Sequence, residues 1–102
     1  MQTPLSREAI LDYLGANHDD LRSRFRLARV AVIGSVARDD YTDSSDVDLI
    51  VRFEPNTERI RERKRELCTE LESVFGRPVQ IASEKYLKPY YRTNILKEAV
   101  DV

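Results

Sequence analysis

Apolar residues recur at three- and four-residue intervals near the start of the chain, where Leu5, Ala9, Ile10, Tyr13 and Leu14 share one face of a predicted helix. Thr3 and Pro4 read as its N-cap and first helical position, and Gly15 as its end. A shorter helix is expected from Asp19 to Phe25, with aspartates near its positive N-terminal end and arginines toward its negative C-terminal end. The period then changes. Val30 to Ile33 form a continuous apolar run stopped by Gly34, the mark of a buried strand. After a polar loop, Asp46 to Phe53 is rich in β-branched residues and reads as a second strand. Pro55 and Asn56 break the chain, and helical spacing returns from Thr57 to Phe75, with Ile60, Leu67, Leu71, Val74 and Phe75 on the apolar stripe. Glu58, Arg61, Glu62, Arg65 and Glu66 make its outer face, where opposite charges three residues apart add local support. Gly76 and Pro78 stop that helix, PVQIAS (78–83) reads as a third strand, and KPYYRTNILKEAV (88–100) as a last helix. The order predicts an α+β fold: a small mixed β-sheet with helices packed on it.

Composition narrows the class of function. A chain of 102 residues, 41% hydrophobic and 34% charged, suits one globular domain rather than a disordered or membrane-bound segment. Its 17 basic and 18 acidic residues leave a net charge of -1, so no excess of one sign points to nucleic acid or to a membrane surface. Cys68 is the only cysteine and cannot form an internal disulfide, which suits a reducing compartment. With neither a bilayer-length apolar stretch nor the apolar core of a signal peptide, a cytoplasmic location is expected.

The chemistry concentrates between residues 34 and 48. Gly34 permits close backbone approach where a strand ends, and Ser35 adds a hydroxyl at the start of a short helical turn, whose free N-H groups suit phosphate oxygens. Asp46 and Asp48 alternate along the second strand and so project from the same face. Two neighbouring carboxylates repel unless a cation lies between them, and a hard divalent ion such as Mg²⁺ is the usual answer. Arg38, in the intervening loop, is a candidate phosphate contact. The bland alternative is that Asp46 and Asp48 blunt an edge strand or pair with the many arginines. Arg22, Arg26 and Arg29, at helical spacing, fit either a contact for an acidic partner or a solvated face.

Gly34-Ser35, ten residues, then Asp46-Val47-Asp48 resembles the GS-x10-DxD signature of the DNA polymerase β-like nucleotidyltransferases. The short length, ARDDYTDSSDVDLIV and the tail LKPYYRTNILKEAV are similar to the minimal nucleotidyltransferase (MNT) branch, over nearly the whole chain. The resemblance implies a palm-type fold and a single minimal nucleotidyltransferase domain over residues 1–102. It implies catalytic, metal-holding carboxylates at Asp46 and Asp48, and substrate contacts at Gly34, Ser35 and Arg38. It further implies ATP as substrate, Mg²⁺ as cofactor, and an antitoxin role in a hetero-oligomer with a HEPN-domain ribonuclease toxin, silenced by AMP transfer to one of its tyrosines. No direct nucleic-acid or membrane partner is expected.

Two departures stand out. Active members of that branch usually carry a third carboxylate on the next strand, where this chain has Val79-Gln80-Ile81. Gln80 can offer a neutral oxygen but takes no proton at neutral pH, and general-base assistance is worth roughly 10²- to 10⁴-fold. The alternative reading is therefore a catalytically weakened antitoxin that neutralises its toxin by binding. Asp39 and Asp40 stand where many relatives have glycine after the arginine, and are expected to point to solvent. Nucleotidyl transfer to a small molecule is a third reading, weakened by the little room so short a chain leaves for a substrate domain. Among smaller signals, His18 reads as a solvated helix start and Cys68 as a core or boundary residue. RIRERKRE (59–66) reads as a charged helix face, while Tyr86, Tyr90 and Tyr91 divide evenly between interface and core.

Overall fold

The computed structural model describes residues 6–102. The expected cap at Thr3 and Pro4 lies outside the described residues. Helix α1 (Arg7–Ala16) is capped instead by Ser6, whose hydroxyl oxygen accepts from the Ala9 N-H at 3.2 Å. It runs through Gly15 to an Asn17 cap and is followed directly by α2 (His18–Phe25). Arg26 then takes a left-handed conformation (φ 56°) and turns the chain into strand β1 (Leu27–Ile33), three residues earlier than the apolar run predicts. A short helix, α3 (Gly34–Arg38), and an eight-residue loop lead to β2 (Val47–Phe53).

Helix α4 spans Ile60–Phe75 and starts three residues later than its periodicity suggests. Thr57 explains the delay: its hydroxyl donates to the Glu54 carbonyl at 2.6 Å and closes a turn, while Asn56 and Arg59 adopt positive φ (62° and 59°). Gly76 (φ 67°) ends the helix as the sequence requires. Strand β3 (Val79–Ser83), a 3₁₀ turn (Glu84–Tyr86) and α5 (Pro89–Glu98) follow, with proline in the first turn of α5. The tail predicted as helix to Val100 instead leaves α5 at Glu98 and forms a two-residue strand, β4 (Val100–Asp101).

The four strands lie in the order β3-β2-β1-β4. β1 pairs antiparallel with both β2 and β4, and β2 pairs parallel with β3, the pairing for which α4 supplies the crossover. Alternation divides the sheet into two faces. On one, Val30, Val32, Val47, Leu49, Val51 and Val79 meet Ile10 and Leu14 of α1, Leu21 and Phe25 of α2, and Leu67 and Leu71 of α4 in one buried core. Each such side chain contributes about 1.5–3 kcal/mol on burial. Val74, predicted on the same stripe, is 45% exposed, whereas Phe75 beside it packs against the core and lies edge-to-face on Tyr13. The opposite face presents Ala31, Asp48 and Ile50, and α5 lies against α3 and β1 on that side.

Three further expectations change. Arg22, Arg26 and Arg29 do not share a helix face, since they belong to α2, a turn and β1. Their guanidinium groups are used internally: Arg22 Nε donates to the Leu27 carbonyl (3.0 Å), Arg26 Nε to Thr57 Oγ1 (3.4 Å), and Arg29 grips Asp101. Tyr86, Tyr90 and Tyr91 are exposed, so the core alternative for them falls away. Cys68 sits at the core boundary and donates through Sγ to the Val79 carbonyl at 3.0 Å. Among the described residues no helix is long and apolar enough to cross a membrane.

Candidate functional site

The turn from β1 into α3 is built around one backbone requirement. Gly34 has φ +72°, and a Cβ there would press on the Asp48 side chain, lying 3.1 Å from its Cβ and 3.2 Å from its Cγ. Glycine is thus demanded twice, by conformation and by the closeness of a carboxylate. That closeness follows from register, because Ile33 pairs with Asp48 across β1 and β2 and brings the end of one strand beside the start of the other. The antiparallel pairing thus joins two motifs separated by a polar loop.

Asp48 lies on β2, partly buried, on the face opposite the core. Asp46 precedes the strand instead of belonging to it, so strand alternation alone does not fix its direction. The backbone around it is well anchored. Arg77 Nη1 donates to the carbonyls of Asp43 (2.7 Å) and Ser45 (3.2 Å), and the Val47 N-H donates to the Pro78 carbonyl (3.0 Å). Within the loop, the Thr42 N-H donates to Ser45 Oγ at 2.8 Å and the Asp40 N-H to the Ser35 carbonyl at 3.0 Å. Burial, and next the neighbouring Asp46 charge, push the Asp48 carboxyl above the usual carboxylate range; Arg38 pulls it back and Glu98 adds to the rise.

Gln80 pairs in register with Asp48 across the parallel β2–β3 ladder, so the two share a face of the sheet and Gln80 is exposed to solvent. Arg38 is not a free cation: its Nε donates to Asp40 Oδ2 at 3.1 Å and its Nη1 to Glu98 Oε2 at 3.2 Å. Asp39 and Asp40 are exposed, as expected, although Asp40 is engaged by Arg38. Glu98 completes the site, accepting from the Gly34 N-H at 3.2 Å through Oε1. Neither Glu98 nor Arg77 stands out in the sequence. Both are joined to the motif only through tertiary contacts, and Arg77 is hidden between two helix-stopping residues.

A separate concavity lies elsewhere. About 590 Å³ opens beyond the far end of β2, between Phe53, Ile60, Glu84, Tyr86 and Arg92. It contains no glycine turn and none of the predicted site residues, so the convergence of the Gly34 turn with Asp48 locates the candidate site better than volume does. Among the described residues no group of three or more His, Cys, Asp or Glu side chains is placed to hold a metal by itself.

The nucleotidyltransferase domain family matches residues 18–102. The protein adenylyltransferase MntA of Thermococcus cleftensis is 33% identical over 98 residues, covering 96% of this chain and 97% of the relative. A solved structure named as a minimal nucleotidyltransferase superposes with TM-score 0.81 at 35% identity, covering 96% of this chain and 97% of the other. A crystal structure of a toxin-antitoxin with AMP-PNP shares the fold, with TM-score 0.65 at 18% identity, covering 95% of this chain and 72% of the other. With a glycine turn set against a strand-borne aspartate, and with matches of this extent, the chain belongs to the nucleotidyltransferase domain family, in its minimal branch related to the protein adenylyltransferase MntA.

Proposed function

We propose that this protein is the antitoxin of a toxin-antitoxin pair and transfers AMP from ATP to a tyrosine of a HEPN-domain ribonuclease toxin. The observation that carries the reading is the closeness of Gly34 and Asp48, which sets a phosphate-accepting turn against a carboxylate. The relationship to a protein adenylyltransferase gives the reaction class, and the fold shared with a toxin-antitoxin that binds AMP-PNP supports the pairing. Exposed Tyr86, Tyr90 and Tyr91 offer the kind of aromatic surface enriched at protein interfaces.

In this reading the Gly34 and Ser35 backbone receives the triphosphate and Arg38 turns to a phosphate oxygen. Asp46 and Asp48 would hold Mg²⁺, as a donor set of hard, mutually repelling carboxylate oxygens. When bound there, the ion supplies neutralising charge for the departing pyrophosphate. The tyrosine oxygen bonds to the α-phosphorus, the bond to pyrophosphate breaks, and the phenolic proton leaves to water, because Gln80 has no basic atom to take it.

The position of Gln80 beside Asp48 favours a second reading, in which catalysis is weak and neutralisation comes from binding. Intact mass spectrometry of the toxin after incubation with this protein, ATP and Mg²⁺ separates the two. A gain of one or more AMP units, lost with Asp46→Ala, is the result expected of the transferase. No gain with the natural protein but a gain with Gln80→Asp identifies a binding antitoxin on a disabled enzyme. No modification with either variant, under conditions where the complex forms, overturns the transferase reading.

A further inference from the structure

We propose that the Glu98 carboxylate occupies the phosphate position of the Gly34 turn, so that a nucleoside triphosphate must displace it and thereby release the C-terminal end of α5. The inference rests on the reading of that turn as the triphosphate site. Glu98 Oε1 accepts from the Gly34 N-H at 3.2 Å, and Arg38 Nη1 donates to Oε2 at 3.2 Å and to Oε1 at 3.4 Å. These are donors assigned above to phosphate. A carboxylate and a phosphate oxygen satisfy such donors in the same way, by charge-assisted hydrogen bonds, and cannot hold them together.

The placement is specific. Glu98 is the last residue of α5; Ala99 then extends, and Val100 and Asp101 pair with Val32 and Ala31 of β1, just before Gly34. The short β4 ladder thus delivers the carboxylate to the turn. Glu98 also brings a third negative charge to a turn already facing Asp48, with Asp46 close by. Such a charge is unfavourable there unless the Gly34 N-H and Arg38 hold it.

The rest of α5 is suited to yielding. It has no buried residue. Apart from Glu98, its ion pair runs from Arg92 to Glu84 at 3.5 Å. Displacement therefore leaves the core intact and moves the helix that carries Tyr90 and Tyr91, which are 78% and 53% exposed. Nucleotide binding would in this way reach the surface that a protein partner meets. A partly exposed ion pair with one added charge-assisted bond favours the closed arrangement by about 3- to 10-fold, and the apparent triphosphate affinity falls by the same factor.

Calorimetric titration of the full chain with ATP, tripolyphosphate and adenosine tests the inference, using wild type, Glu98→Gln and Asp40→Asn. Asp40→Asn removes an equal charge from the same guanidinium, from whose Nε Asp40 accepts at 3.1 Å, without touching Gly34, and so reports the loss of a carboxylate on Arg38 alone. Glu98→Gln should tighten ATP and tripolyphosphate about 3- to 10-fold and leave adenosine unchanged, while Asp40→Asn changes each less than about twofold. Equal gains in the two variants, or weaker binding in Glu98→Gln, overturn the latch. Hydrogen exchange on the wild type gives a readout independent of any variant. Saturating tripolyphosphate should slow Gly34 and Ser35 and speed residues 92–98; α5 amides that stay unchanged or slow down overturn it. If neither ATP nor tripolyphosphate binds the wild type at millimolar concentration, the nucleotide reading fails and the latch with it. If both bind without a gain in Glu98→Gln, only the latch fails.

Discussion

The β1–β2 hairpin and the C-terminal segment meet at Gly34, yet they are held by different forces. Val32, Leu49, Ile50 and Val51 in the hairpin are fully buried, and the loop between its strands is clasped by Arg77. Helix α5 has no buried residue, and beyond the short β4 ladder and Val102 the segment is held down by Arg29–Asp101, Arg38–Glu98 and Arg92–Glu84 ion pairs. Dispersion and burial fix positions within fractions of an ångström, whereas ion pairs with one partner at the surface, as in all three here, are screened by solvent and can exchange partners. The two regions also carry carboxylates of opposite character. Asp48 holds its proton above the usual range because of burial and Asp46, while Arg29 holds Asp101 below it. The hairpin accepts an electrostatic cost at the site, and the C-terminal segment uses charge to stay attached.

Gly34→Ala tests the hairpin hardest. A side chain at φ +72° costs about 1–3 kcal/mol, and the new Cβ moves Asp48. AMP transfer should fall on the order of 100-fold, the scale expected when a catalytic group is displaced by about 1 Å. Mass spectrometry and urea unfolding read the two effects separately. Near-normal transfer would mean that the turn is adjustable, and the contrast with α5 would break.

A smaller effect of opposite sign is expected from Asp48→Asn. The folded protein binds the Asp48 proton more tightly than the unfolded chain does, so native stability falls as pH rises through the window from the ordinary carboxylate value to the raised one. Above that window the ionised group is a standing cost. The substitution should therefore raise Tm by about 2–4 °C at pH 7–8 while abolishing transfer, and the gain should vanish at pH 3. A gain that persists at pH 3 would trace to packing, not to charge.

Asp101→Asn should show the smallest change and the reverse pH dependence. Its lowered pKa contributes stability that is present above the unfolded carboxylate value and lost as pH falls through the folded one. Because Asp101 is largely exposed, removing the charge should cost about 0.2–1 kcal/mol at pH 7, measured by urea unfolding, and nothing at pH 2. A loss of several kcal/mol would make the C-terminal segment part of the scaffold and sharpen the comparison against a yielding α5.

Much of this was legible because it is local. The continuous apolar run before Gly34, the β-branched run after Asp46 and the helical stripe of Leu67 and Leu71 each report their own secondary structure through side-chain periodicity. Periodicity puts Val74 on the stripe and starts α4 too early, because it says nothing of how wide a face the core covers, or of a threonine that bonds back to Glu54. Arg22, Arg26 and Arg29 looked alike in sequence but belong to three different surroundings.

The sequence by itself determined the α+β class, the glycine at the strand end, and the spacing that links it to Asp46 and Asp48, because covalent geometry and alternation carry those over a few residues. Tertiary structure alone decided that Asp48 lies against Gly34, that Gln80 stands beside Asp48, that Arg77 clasps the loop, and that Glu98 takes the Gly34 N-H. Those four depend on strand pairing and on groups as many as 64 residues apart, as Gly34 and Glu98 are. A charged side chain has many candidate partners along a chain with 17 basic and 18 acidic residues, and only the folded backbone selects among them.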